Sequence, residues 1–189
     1  MASHLAAHEI SPKFQASVWN NYPASIFASR NQRCYAQTAM NSEKTLLLAK
    51  DLTKEYPRSP RETLAEFVIA ARMLDKCRAV LVGMAGEYHF DCPLDNQFLG
   101  FAGIGAEQFK AFVATGATDA EVAAWIEQHS KVKDRAQIVA WNNKLRSTRI
   151  CDMPINLQEF LEGYIPQFVP KNRPVYVWFD VYDLEEERI

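Results

Sequence analysis

The stretch RETLAEFVIAARMLDKCRAVLVG, Arg61–Gly83, sets the terms for the rest of the chain. Projected at about 100° per residue, Leu64, Phe67, Val68, Ala71 and Leu74 share one face, and Ile69, Met73 and Val80 lie on another. A helix apolar over so much of its circumference belongs at the centre of a fold. Its polar arc is narrow: Arg72, Lys76 and, beside Val68, Asp75. Arg78 projects onto the Leu64–Phe67–Ala71 face. A charge there has to be paired, because desolvating it alone costs several kcal/mol. Asp75 is in reach at i,i+3, which gives an Asp75–Arg78 pair at the edge of the core. The competing reading is an arginine held over a cleft to bind an anion.

Helix starts are marked repeatedly. SPRE (59–62) offers Ser59 as N-cap, Pro60 at the first helical position and Glu62 to complete a capping box. TDAE (118–121), DRAQ (134–137) and NLQE (156–159) repeat the logic, with Thr118, Asp134 and Asn156 as acceptors. The helices expected are 60–83, 93–101, 106–116, 118–130, 134–148 and 156–167, with Gly83, Gly103 and Gly116 at stops. In RPVYVWFDVYDLEE, Val175, Val177, Phe179 and Val181 alternate as a strand would, with a partner strand only around Glu87–Asp91. A docked helix is the other reading of that segment. The expected fold class is mainly α: a compact single helical domain around a long central helix, with room for a small two-stranded β element.

Residues 1–39 differ from the rest. They hold Glu9 against Lys13, Arg30 and Arg33, with five serines and no apolar core of a secretory signal. The expectation is a poorly ordered extension, or a gene start placed too early, with the domain proper at 40–189. Over the whole chain the net charge is −2 and charged residues are 23%, which argues against a non-specific nucleic-acid binder. No apolar run is long enough to span a membrane. Four widely spaced cysteines, Cys34, Cys77, Cys92 and Cys151, form no CxxC pair and suit reduced thiols in the cytoplasm.

GEYHFDCPLD (86–95) is the stretch with most chemistry in it. Pro93 suits the first position of a helix, which makes Cys92 its N-cap. A thiol there meets the helix dipole and unpaired N–H groups, and His89 lies three residues upstream as a candidate base. Asp91 and Asp95 oppose the effect. A metal site would have to draw on His89, Asp91, Cys92 and Cys77, without the paired spacing zinc sites usually show. GFAGIGAEQF is not a dinucleotide fingerprint, and no P-loop or nucleophile elbow is present, so no cofactor is expected. DLEEE (183–187) reads as a solvated acidic end.

Three stretches, KDLTKEYPRSPRETLAEFVIAARMLDKCRA, GEYHFDCPLDNQFLGFAGI and WFDVYDLEE, resemble the bacterial family called domain of unknown function 5069. The resemblance runs from about Lys50 to Glu187. It implies a small, stand-alone, mostly helical bacterial protein, and no reaction. The positions shared are Pro57, Arg58, Ser59, Pro60, Arg61, Arg72, Asp75, Lys76, Tyr88, Cys92 and Asp95.

Two functional readings result. One is a binding module for a small anionic ligand or a protein partner, using Arg58, Arg61, Arg72, Asp75, Lys76, Arg78 and Tyr88. The other is an enzyme with Cys92 as nucleophile, His89 as base, and Arg78 or Arg72 steering an anionic substrate.

Overall fold

The computed structural model describes residues 37–189. The chain divides into two units, Met1–Ala39 and Met40–Ile189, and the second carries everything below. The reading of an N-terminal extension falls, for residues 1–36, outside the described residues.

The second unit opens on the helical residues 40–48 (α1). A loop leads to a short antiparallel hairpin, β1 (Thr63–Leu64) and β2 (Phe67–Val68), and then to α2 (Ala70–Val82). There follow α3 (Pro93–Ala102), α4 (Ala106–Val113), α5 (Asp119–His129), α6 (Arg135–Arg146), a 3-10 turn at Ile150–Asp152, α7 (Ile155–Phe168) and α8 (Trp178–Glu185). The unit is mainly α, as the sequence pattern implies.

Helix α2 is central: every residue from Ala70 to Ala79 is buried. Phe98 of α3, Phe109 and Val113 of α4, Val122 and Ile126 of α5, Ile138 of α6 and Phe179 of α8 close the main core with it. A second, smaller cluster joins α7 to α8 through Met153, Leu161, Val181 and Leu184. Thr118 caps α5 in a full capping box with Glu121, and the Asp134 side chain accepts from the Ala136 amide at the start of α6.

The central helix begins ten residues later than its capping signal. The Ser59–Glu62 box forms, but it closes on itself: Arg61 N donates to Ser59 Oγ and Ser59 N donates to Glu62 Oε1. The chain then turns back as a hairpin. Ala65 and Glu66, with φ of 50° and 68°, form its two-residue turn, the left-handed pair that matches strand twist. Asn142 of α6 pins it, its Oδ1 accepting from Val68 N and its Nδ2 donating to Glu66 O. Phe67 sits edge-on among Phe98, Phe101 and Trp141. Leu64, Phe67 and Val68 are thus buried without a helix, and Ile69, at φ 70°, redirects the chain into α2.

Two further expectations change. Residues 178–185 are a docked helix and 87–91 are not a strand, so the β element is the hairpin instead. The Asp180 carboxylate decides this by accepting from the Tyr176 and Val177 amides, which fixes the first turn of α8. Asn156 does not cap α7, which starts at Ile155 behind Pro154 with no side-chain cap.

Candidate functional site

The charges of α2 are buried and paired, but not with one another. Asp75 accepts from Arg58, at the backbone N (2.9 Å) and at Nη2 (2.6 Å). Arg78 donates to Asp119 Oδ1 at 2.5 Å and to Ala117 O at 2.8 Å. The expected Asp75–Arg78 pair is therefore wrong, because each finds a partner from another element. Arg58 also reaches Asp119 at 2.7 Å, which links the two. Burial works to raise the Asp119 carboxyl, but the Arg78 hydrogen bond and the Arg58 charge outweigh it and hold it low. Arg61 binds Asp180 and Asp183, and Arg188 binds Asp183 and Glu186. The acidic C-terminal run is not simply a solvated end: Asp183 and Glu186 are buried. Arg58, Arg61, Asp75 and Arg78 line neither of the cavities described next.

Two cavities adjoin between α2, the 86–92 loop, α7 and α8. The first, about 680 Å³, has Arg72, Lys76, Tyr88, Glu185 and Glu186 in its wall. The second, about 400 Å³, is lined mostly by apolar groups, among them Met153, Leu157, Phe160, Leu161 and Trp178. His89, Cys92, Leu94, Tyr164 and Tyr182 belong to both. Of the residues singled out from sequence, Arg72, Lys76, Tyr88, His89 and Cys92 meet here. Tyr164, Tyr182 and Glu185 were missed; Phe160, Tyr164 and Phe168, spaced i, i+4, i+8 along α7, were the signal available.

Electrostatics in the first cavity are nearly closed. Arg72 binds Glu186 in a fork, Nη1 at 2.8 Å and Nη2 at 2.5 Å, between the rings of Tyr88 and Tyr182. Arg72 Nε, also buried, has no partner among the described residues. Burial tends to raise Glu186, but Arg72, Arg188 and the Tyr88 hydroxyl hold it below its ordinary range. Its neighbour Glu185 goes the other way. Burial and the Glu186 charge raise it against a 2.7 Å hydrogen bond from Tyr164.

Cys92 occupies the junction. It is the N-cap of α3 in an extended conformation, and Pro93 follows at the first helical position. Lys76 Nζ lies 3.1 Å from its sulfur and 2.7 Å from Asp95 Oδ1. Lys76 is 3% exposed and Asp95 not at all, so this ammonium is fixed from two sides away from water. No hydrogen bond joins His89 to Cys92 among the described residues. Nor do three or more His, Cys, Asp or Glu side chains converge as a metal site would need. No helix among the described residues is long and apolar enough to cross a membrane.

A comparison with curated proteins found no match. The family model described as Domain of unknown function (DUF5069) matches residues 54–188, a span holding α2, the Cys92 junction and the C-terminal carboxylates that lock them together. The chain belongs to that family.

Proposed function

We propose that the domain binds a small amphipathic molecule across the two cavities. The single observation that carries this is the pairing of a chamber that has charged groups in its wall with an almost wholly apolar one through a shared wall. Ligand sites are concave and mostly apolar, with a few convergent polar groups, and this cleft is built that way. The apolar part would lie between α7 and α8, and the head group beside Arg72, Lys76 and Glu185. Arg72 and Lys76 are the cations an anionic head would need. Glu186 and Asp95 already balance both cations, so a neutral head that accepts hydrogen bonds meets less competition. Titration with octyl glucoside below its micellar concentration, followed in methyl NMR spectra, tests the proposal. Saturable shifts at Leu157, Leu161 and Val181, lost in Leu161→Trp, are the expected result. Shifts that neither saturate nor respond to the substitution would refute it.

A second reading, a cysteine-dependent enzyme, is favoured by one contact, Lys76 Nζ on Cys92 Sγ at 3.1 Å. An ammonium at that distance stabilises negative charge building on sulfur. His89 borders both cavities and stays a candidate base there. Substituting His89→Ala and following iodoacetamide labelling of Cys92 against pH tests its part. An unchanged profile would remove His89 from the reading.

A further inference from the structure

Cys92, Lys76 and Asp95 form a connected row, sulfur to ammonium to carboxylate: Cys92 lies in the wall both cavities share, Lys76 in the wall of the first, and Asp95 in neither. We propose that Cys92 is an acyl-accepting nucleophile and Lys76 its proton donor, acting on esters or thioesters whose acyl chain lies in the apolar cavity. This rests on the amphipathic-ligand reading and names the ligand's class.

Four observations carry it. The Lys76 ammonium donates to the sulfur at 3.1 Å and is ion-paired, on its other side, with a carboxylate that is itself wholly buried. The backbone amides of Leu94 and Asp95 lie in the first turn of α3, where a helix has no internal acceptors, so they can donate to an oxyanion forming beside Cys92. An acyl carbon at the junction places its chain among Leu157, Leu161 and Val181. The leaving group then enters the first cavity, whose wall carries Arg72, Tyr88 and Glu185.

The step balances as follows. The Cys92 thiolate sulfur forms the S–C bond, and the bond from the acyl carbon to the leaving oxygen or sulfur breaks. The proton that leaves with it comes from the Lys76 ammonium, which becomes a neutral amine. Water then attacks the Cys92 thioester. Its oxygen bonds to the acyl carbon, the S–C bond breaks, and one water proton returns to Lys76. The products are a carboxylic acid, an alcohol or thiol, and the starting ion pair.

The test mixes the full chain with p-nitrophenyl octanoate or p-nitrophenyl acetate and records p-nitrophenol release and the acylated peptide by mass spectrometry. The expected result is an octanoyl adduct on Cys92, formed at least about tenfold faster than the acetyl adduct, the factor that burying two methylenes supplies. Cys92→Ser abolishes it. Lys76→Met slows octanoyl transfer from S-ethyl octanethioate, whose alkyl thiolate leaves poorly unless protonated, by about a hundredfold, the usual loss for a positioned acid. Because Lys76→Met strands Asp95, the double variant Lys76→Met/Asp95→Asn is measured beside it, and equal slowing in both is required. Octanamide, which cannot acylate, serves as a separate arm. If octanamide protects Cys92 from iodoacetamide but no adduct forms, the acyl-transfer proposal falls and ligand binding stands. If octanamide fails to protect, the ligand reading falls as well. Acylation without chain-length preference, or unchanged by loss of Lys76, overturns the proposal.

Discussion

Burial pushes the Cys77 thiol up to about 12, and its side chain is sealed in the core. Cys92 opens into two cavities, and Cys151 is exposed. Iodoacetamide at pH 8.5 should therefore label Cys92 and Cys151 in the native protein and leave Cys77 untouched until urea unfolds it. Peptide mass spectrometry reads this directly, and native labelling of Cys77 would contradict the packing around α2. Glu185 makes a second test. Its folded carboxyl is raised above the ordinary 4.5, first by burial, so it costs no stability below that pH. Stability is lost as pH rises through the folded value. Glu185→Gln keeps an acceptor for the Tyr164 hydroxyl and removes the charge. The melting temperature should rise at pH 8 and stay unchanged at pH 4; an unchanged value at pH 8 would mean the carboxylate is freely solvated. At this scale the sequence exposed the need for pairing but not the pairs. Arg78 is a buried charge that had to be paired, but the Leu64–Phe67–Ala71 helix face onto which the sequence projects it does not form, and its partner Asp119 lies 41 residues away, beyond any local spacing rule.

Local rules worked where an element depends on its own residues. The starts of α5 and α6 were legible because Thr118 and Asp134 meet amides two or three positions on. The start of α2 was not, because the same chemistry at Ser59 closes a loop and the following apolar residues are buried as well by a hairpin as by a helix. Asn142 makes that choice from α6, and nothing local to residues 60–69 announces it. Asn142→Ala should cost about 2–4 kcal/mol in urea unfolding, since it leaves the Val68 N–H and Glu66 C=O without partners. A loss below about 1 kcal/mol would show that the hairpin holds without it. The turn itself is improvable. Ala65 and Glu66 both lie at positive φ, where side chains are strained and Asn-Gly is preferred. Ala65→Asn/Glu66→Gly should add about 1 kcal/mol, less whatever the exposed Arg135–Glu66 pair contributes.

The molecule is closed by charge from its far end. Arg72 in the central helix binds Glu186, 114 residues on, and Arg61 and Arg188 bind Asp183 beside it. The sequence showed the arginines and the acidic run separately; it could not show that they meet, because contact across such a separation is set by how α8 docks. The arrangement also places the first cavity, since Glu186, Arg72 and Tyr88 are at once its wall and the lock. Arg72→Met takes the buried cation from Glu186 but leaves it Arg188 and the Tyr88 hydroxyl, so it should destabilise by less than the about 3–5 kcal/mol of a fully stranded buried charge. The double variant Arg72→Met/Glu186→Gln leaves no stranded charge and should recover much of that loss, giving a coupling of about 0.5–3 kcal/mol in a double-mutant cycle. Acid should break the same pair from the other side, by neutralising Glu186. Glu186 and Asp119 are held below their ordinary values of 4.5 and 3.8, so the stability they contribute is complete above those values and lost as pH falls through the lower folded ones. In the Glu185→Gln background, which removes the raised carboxyl, urea midpoints should be flat from pH 7 to about 5 and fall steeply below about 4, with a shallower fall in the double variant. Equal slopes in the two proteins would show that the Arg72–Glu186 pair does not govern acid unfolding, and an additive cycle would show that the closure of α8 rests on its apolar contacts alone.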